Sequence, residues 1–599
     1  MDGCGYKSPM SPDQSLRFQQ AEHLLRGGRP VEARAVLAPL GMETPTAPNV
    51  WWALANACRM AGDTVGAERS LRHLVRIDGG RAQSWVALGE IMAAAGRADD
   101  AEEAWQAALK ADPRHPVAAA LADKLAGEGR GEEALALLAP AMAQDPPAGA
   151  LAARARVYRA LGRVEESAAD LRAATVLAPD EAQLQFELAV ALARLNRGAE
   201  TVTAGRRAEA LGVRSPDLVQ VIGHGERLSG DLEAAEATFR QGLLQWPEDE
   251  GLHRELAALR WSLTGDAAEA TREIDVALAW RPGEPGLLVL KARVLEYAGD
   301  LDAARAVLAE PALDFGASPL VLSAAARLTI AVDPDAAAGL AHRALARQPD
   351  DPFALAALAE AKLALGDTFG AGQAAEHLLS LVPDDEHGQS IRQLIWRLHG
   401  DPRYPLACDY ETMVSTRTID TPPGWDSLEA YLADLAVALR ALHGGKAHPV
   451  GQSLRGGTQT DKSLAESDDP AIRAFFQAIE APIAAHIAQL TGGETPFEVV
   501  RSWSVRLAPG GVHVDHLHKA WISSAFYVAL PAEVEAGGRA GWLRLGKPGL
   551  LTTPPLEAER WIQPRPGMLA LFPSSMWHGT EPFEDGAERL TIAFDVDPA

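Results

Sequence analysis

The chain has 599 residues, too many for one hydrophobic core, so two or more domains are expected. Its hydrophobic share of 47 % is ordinary for a globular protein, and a formal net charge of −25 argues against nucleic acid or an anionic membrane surface as a partner. Only Cys4, Cys58 and Cys408 are present, which excludes a disulfide framework or a cysteine zinc site and fits a reducing cytoplasm.

The N-terminal MDGCGYKSPMSPDQ lacks the basic region and apolar core of a signal peptide, and residues 1–10 are expected to form a disordered tail. No run of about 18 apolar residues occurs anywhere, which predicts no transmembrane helix. The expected location is cytoplasmic.

From 11 to 383 the chain repeats every 33 to 35 residues. Pro113, Pro146, Pro179, Pro247, Pro282, Pro349 and Pro383 close successive units, with one or two periods between neighbours. Gly62-Asp63, Gly96-Arg97, Gly162-Arg163, Gly230-Asp231, Gly265-Asp266, Gly299-Asp300 and Gly366-Asp367 recur in phase with them. Glycine there ends a first helix in a left-handed conformation, and the polar residue after it opens the turn into a second. In the clearest unit, Trp85, Leu88 and Trp105 fill the seam between helices that Gly89 and Ala101 allow to approach. This matches the tetratricopeptide-repeat signature, and Ala235, Phe239 and Pro247 repeat its second half. About ten or eleven units are expected, with 197–216 and 311–349 degenerate. Such an array forms a superhelix whose groove binds a protein or peptide.

The period fails after Pro383. Ile391 to Leu398 read as a capping helix, followed by turn-rich connectors and two amphipathic helices at 426–443 and 470–490. These make 384–495 a linker and helical lead-in. Between the two helices, HPVGQSLRGGTQT (His448 to Thr460) has neither helical nor strand period, and Arg455 is its candidate substrate-site residue.

From 496 to 599 the pattern alternates with period two, at 498–507, 521–530, 541–545, 568–572 and 589–596, as in an antiparallel barrel or sandwich of about eight strands. In VHVDHLH, strand parity puts His513 and Asp515 on one face and His516 and His518 on the other. Either pair, joined by His578, makes a mononuclear metal site: a two-histidine, one-carboxylate triad or three imidazoles. Spacing alone does not choose between them. In RLTIAFDV, Leu590, Ile592, Phe594 and Val596 share one face, which turns Arg589 and Thr591 inward as a grip for a carboxylate. The inward arginine favours 2-oxoglutarate chemistry over zinc hydrolysis.

The segments GGVHVDHLHKAWISSAFYVALP, RAGWLRLG, RPGMLALFPSSMWHGTEPF, RLTIAFDV and HPVGQSLRGGTQT resemble the 2-oxoglutarate and Fe(II)-dependent oxygenases often fused to tetratricopeptide repeats in bacteria. The resemblance spans about 400–599 and implies a double-stranded β-helix (cupin-like jelly roll). It implies Fe(II) held by His516, His518 and His578, with 2-oxoglutarate and O2 as co-substrates, and it ranks His513 with Asp515 second. His516 and His578 as the only strong ligands would resemble aspartyl β-hydroxylases. Lys519 stands where the family has proline or a small residue. Arg589 and Thr591 are expected to bind the co-substrate, with Ser524, beside Ser523 at the start of the strand after the ligands. The implied activity is hydroxylation of a side chain of a protein or peptide presented by the repeats. The alternatives are an oxygenase acting on a small molecule or glycan precursor, and a non-catalytic scaffold with an inert barrel.

Overall fold

A computed structural model describes residues 10–460, 462–536, 538–584 and 586–599. The tail expected at 1–10 lies, apart from Met10, outside them. The chain forms two compact units that divide between Gly225 and Glu226.

The first unit is a succession of antiparallel helical hairpins. In the hairpin of Ala82–Ala94 and Ala98–Ala111, a Cβ on Gly89 would stand 2.4 Å from the Trp105 indole nitrogen, so only glycine fits beneath the ring. The expected turn glycines all have positive φ, from 69° to 86°. In the degenerate repeat near 197, Asn196 takes this place at φ 55°. Asparagine tolerates the left-handed region better than other side chains. Several residues that follow the glycines cap the next helix, as when Asp63 accepts from the Gly66 amide at 2.8 Å.

The second unit opens with the same hairpins, including the repeat expected to be degenerate at 311–349, where helices Pro319–Thr329 and Pro334–Leu345 form a regular pair. The helical series closes with Glu386–His399, which contains the expected capping helix. The two lead-in helices lie at Leu428–Ala441 and Pro470–Thr491.

Nine strands follow among the described residues: β1 (Ser415–Thr418), β2 (Leu454–Gln459), β3 (Phe497–His513), β4 (Ile522–Ala529), β5 (Leu543–Leu545), β6 (Arg560–Ile562), β7 (Met568–Pro573), β8 (His578–Thr580) and β9 (Arg589–Pro598). They form a six-stranded sheet in the order β1-β7-β4-β9-β3-β2 and a three-stranded sheet in the order β6-β5-β8. This is an all-β double-stranded β-helix behind a helical lead-in. Strand β2 lies where no strand period was legible. It is an edge strand with a register shift between Arg455 and Gly457, and a Cβ on Gly457 would stand 2.4 Å from the Arg506 carbonyl.

Alternation within β4 and β9 sends Ile522, Phe526, Val528, Leu590, Ile592, Phe594 and Val596 to one face, where Phe475, Ile479 and Tyr431 of the lead-in helices cover them. The opposite face carries Tyr527, Ala570 and Phe572, which pack with Leu543, Leu545 and Ile562 of the smaller sheet. The polar residues of the site emerge on this second face.

Candidate metal centre

Strand β3 ends at His513, and the chain then runs irregularly to β4. The pairing resumes only at His516, which forms a lone antiparallel bridge with His578 at the start of β8 (amide to carbonyl 3.0 and 3.1 Å). That bridge joins the two histidines across the sheets. His518 is held by its own amide, which donates to the Ser574 carbonyl at 3.2 Å. One nitrogen from each of His516, His518 and His578 lies within 4.8 Å of the other two.

Hydrogen bonding fixes the tautomer of each ring. His516 Nδ1 donates to the Val514 carbonyl (2.8 Å), His578 Nδ1 to the Met576 carbonyl (2.9 Å), and His518 Nδ1 to Asp595 Oδ2 (3.1 Å). These oxygens can only accept, so each neutral imidazole keeps its lone pair on Nε2. His516 Nε2 and His518 Nε2 stand 2.9 Å apart. Two lone pairs at that distance repel unless a proton or a metal ion stands between them. Two nitrogens at right angles on an ion with bonds of about 2.1 Å would be about 3.0 Å apart. The donor set therefore fits a mononuclear transition metal. Burial, aided by the neighbouring imidazole of His518, pushes His516 down to about 3, and burial holds His578 well below its ordinary value. Both stay neutral, as ligation requires.

Asp515 is not presented to this point. Its carboxylate forms a bidentate pair with Arg544 (2.7 and 2.9 Å), whose guanidinium also reaches Glu581 at 3.2 Å. His513 is turned toward Ser453, whose hydroxyl lies 3.1 Å from both His513 Nδ1 and His516 Nε2. The Arg544 ion pair thus holds Asp515 away from the three imidazoles, while the Ser453 hydroxyl links His513 to His516.

Arg589 is 3 % exposed, and its Nε has no hydrogen-bond partner among the described residues. Its guanidinium forms no ion pair among the described residues and lies 5.2 Å from the Tyr527 ring centroid. The Tyr527 hydroxyl is also buried; it lies near Arg589 without the geometry of a hydrogen bond. An unpaired buried charge costs several kcal/mol, so this pair of orphaned donors fits a carboxylate ligand. Thr591 lies opposite Tyr527 in the β4–β9 register, and its hydroxyl is 3.5 Å from the Val505 carbonyl. Ser524 faces the other way: its hydroxyl donates to the Phe594 carbonyl and accepts from the Phe594 amide, both at 2.8 Å. Its neighbour Ser523 faces the site and donates to Asp595 Oδ1 at 3.0 Å. Arg455 bonds the Gln452 and Leu454 carbonyls (2.7 and 2.8 Å) and lies over the Tyr297 ring at 5.2 Å.

Sequence reading missed Asp595 and Trp503. Asp595 is 1 % exposed, accepts from His518 and Ser523, and forms an ion pair with Arg501 at 3.1 Å. Trp503 stacks on the His518 ring at 5.6 Å, with the planes 8° apart. The signal for Asp595 was available, because the parity that turns Arg589 and Thr591 inward also turns Asp595 inward.

Residues 501–595 match the family model described as "Putative 2OG-Fe(II) oxygenase", and residues 59–125 and 152–216 each match a tetratricopeptide-repeat model. The chain therefore joins tetratricopeptide repeats to a domain of the 2OG-Fe(II) oxygenase type. No curated protein matches it. Among solved structures, it is similar to a tetratricopeptide repeat protein from Parabacteroides merdae (19 % identity, 38 % of this chain and 91 % of that one, TM-score 0.31). It is also similar to the C-terminal part of a TPR repeat-containing protein from Cytophaga hutchinsonii (14 %, 40 % and 99 %, TM-score 0.34). A third is Naa15/Naa10 bound to HypK-THB (12 %, 66 % and 67 %, TM-score 0.28). No helix among the described residues is long and apolar enough to cross a membrane.

Proposed function

We propose that the protein is a 2-oxoglutarate- and Fe(II)-dependent dioxygenase that hydroxylates a side chain of a protein or peptide presented by the repeats. The observation that carries this reading is the convergence of three imidazoles, each with Nδ1 engaged by an acceptor outside the cluster. His516, His518 and His578 are its ligands. When bound, Fe(II) supplies with O2 and 2-oxoglutarate the oxidising chemistry that converts a C–H bond to an alcohol and the co-substrate to succinate and CO2.

The remaining steps belong to the chain. Arg589 takes the distal carboxylate of the co-substrate in its guanidinium fork, with the Tyr527 hydroxyl and Thr591 beside it. Asp595 and Trp503 hold the His518 ring in one orientation. Phe572, packed against His578 with ring centroids 4.7 Å apart, and the apolar side chains around it limit the water that reaches the metal.

A protein or peptide substrate is supported by a cavity of about 510 Å³ within the second unit. Its wall combines Glu386, Gln389 and Gln393 of the last repeat helix with Leu517, His518 and Lys519 of the metal loop. A chain leaving the repeats here would meet the metal loop directly. Arg455 is our candidate for a further substrate contact, because it has no ion-pair partner among the described residues.

The test is anaerobic titration with Fe(II) and 2-oxoglutarate, then admission of O2 and assay for succinate. We expect succinate from the wild type and none from His578→Ala. An absence of binding and of succinate in the wild type contradicts the reading.

A further inference from the structure

Two residues next to the histidine ligands pack into the core of the repeats, Trp577 buried and Leu517 partly buried. Trp577, immediately before His578, is 8 % exposed and packs with Leu358, Ile391 and Leu394. Leu517, between His516 and His518, packs against the same core, as do Leu550 and Leu556. The last two belong to the segment 546–557, which runs between the repeat helices and the metal loop.

This segment is fastened on both sides. On the repeat side, Arg397 of helix Glu386–His399 donates to the Gly546 carbonyl (2.6 Å) and the Glu557 carbonyl (2.7 Å) and pairs with Glu559 (3.2 Å). Thr553 reaches the end of helix Pro352–Ala364, with its amide on the Leu363 carbonyl (3.1 Å) and its hydroxyl on the Ala364 carbonyl (2.6 Å). On the metal side, the Gly546 amide donates to the Trp577 carbonyl at 2.8 Å. A Cβ on Gly549 would stand 2.2 Å from the Asp515 carbonyl and 2.9 Å from the Trp577 ring, so the segment touches both stretches of chain that carry ligands.

From this geometry we infer that Arg397 and Thr553, through segment 546–557, are positioning residues for the metal centre, and that the last repeats are part of its scaffold. The inference rests on the reading of His516, His518 and His578 as metal ligands. It makes the repeats more than a docking arm, since packing of helix Glu386–His399 and metal affinity become thermodynamically linked. By reciprocity, metal binding must lower the equilibrium constant for opening of that helix by the factor by which the packed helix favours the metal.

The experiment uses the full chain and Co(II) as a spectroscopic probe, titrated into the wild type, Arg397→Met, Arg397→Lys and Thr553→Val. Arg397→Met removes three polar contacts but keeps an apolar stem, and Thr553→Val is nearly isosteric, so one serves if the other does not fold. We expect Co(II) affinity about tenfold weaker in Arg397→Met, as for other residues that support metal ligands. The Co(II) spectrum should change, and Arg397→Lys should recover part of the affinity. Thr553→Val should weaken binding in the same direction. Amide exchange of residues 386–399 in the wild type should slow when Co(II) is added. If the variants lower only the melting temperature and bind Co(II) with wild-type affinity and spectrum, the inference is overturned. If the wild type binds no Co(II), the ligand assignment fails instead.

Discussion

His518 Nδ1 donates to Asp595 Oδ2 at 3.1 Å, and Asp595 is 1 % exposed. The other two histidines of the triad donate Nδ1 to carbonyls of the backbone two residues earlier. His518 is therefore the one member of the triad whose orientation depends on a distant carboxylate, brought 77 residues along the chain by the pairing of β4 with β9.

Replacing Asp595 by Asn should keep the shape of the site and remove the charge that holds this tautomer. We expect metal affinity to fall between about tenfold and a hundredfold, the usual cost of losing such a partner. Anaerobic titration of the wild type and Asp595→Asn measures it, and equal affinities would remove Asp595 from the account.

Arg589→Lys keeps the charge but loses the planar fork. The KM for 2-oxoglutarate should rise about tenfold or more, in line with the loss of a hydrogen bond to a charged group, while metal stoichiometry is unchanged. A variant with wild-type KM would place the co-substrate elsewhere.

Ser524→Ala separates two roles for a residue whose hydroxyl is engaged with the Phe594 backbone. It should cost about 1 kcal/mol of stability. The KM for 2-oxoglutarate should stay put in steady-state assays. A raised KM with unchanged stability would restore Ser524 to the co-substrate site.

Stability should depend on pH through His486 and His443. Burial lowers both to about 4, and His486 has 0 % exposure with its Nε2 unpartnered. A histidine with a depressed folded pKa binds protons first in the unfolded chain. Its contribution is present above about pH 6.5 and is lost as pH falls from there toward 4. For His486 this amounts to at most about 3 kcal/mol. Chemical denaturation between pH 7 and 4 checks it, and replacing His486 with Gln should flatten the profile.

Much of this molecule was legible in its sequence because periodicity carries strong physical constraints. A left-handed turn every 33 to 35 residues admits little but glycine, and the alternation of Leu590, Ile592, Phe594 and Val596 dictates the direction of Arg589. The same alternation pointed to Asp595, but an acid in an apolar strand offers no local sign of a partner 77 residues away. Strand β2 was illegible for another reason: Gly456 and Gly457 are required by close approach of Gly511 and Arg506, and glycines erase the period by which strands are recognised. Ser524 was placed by its position at the start of the strand after the ligands, and register in β4 gives the inward position to Ser523. The segment 546–557 carries no motif, and its role arises from tertiary packing.

The most direct measurement is metal stoichiometry, by anaerobic Co(II) or Fe(II) titration of the wild type, His516→Ala, His518→Ala, His578→Ala, His513→Ala and Asp515→Asn. The account predicts one ion per chain in the wild type, retained in His513→Ala and Asp515→Asn and lost or greatly weakened in the other three. A wild type that binds no ion, or a site that survives in His518→Ala and is lost in His513→Ala and Asp515→Asn, would contradict it.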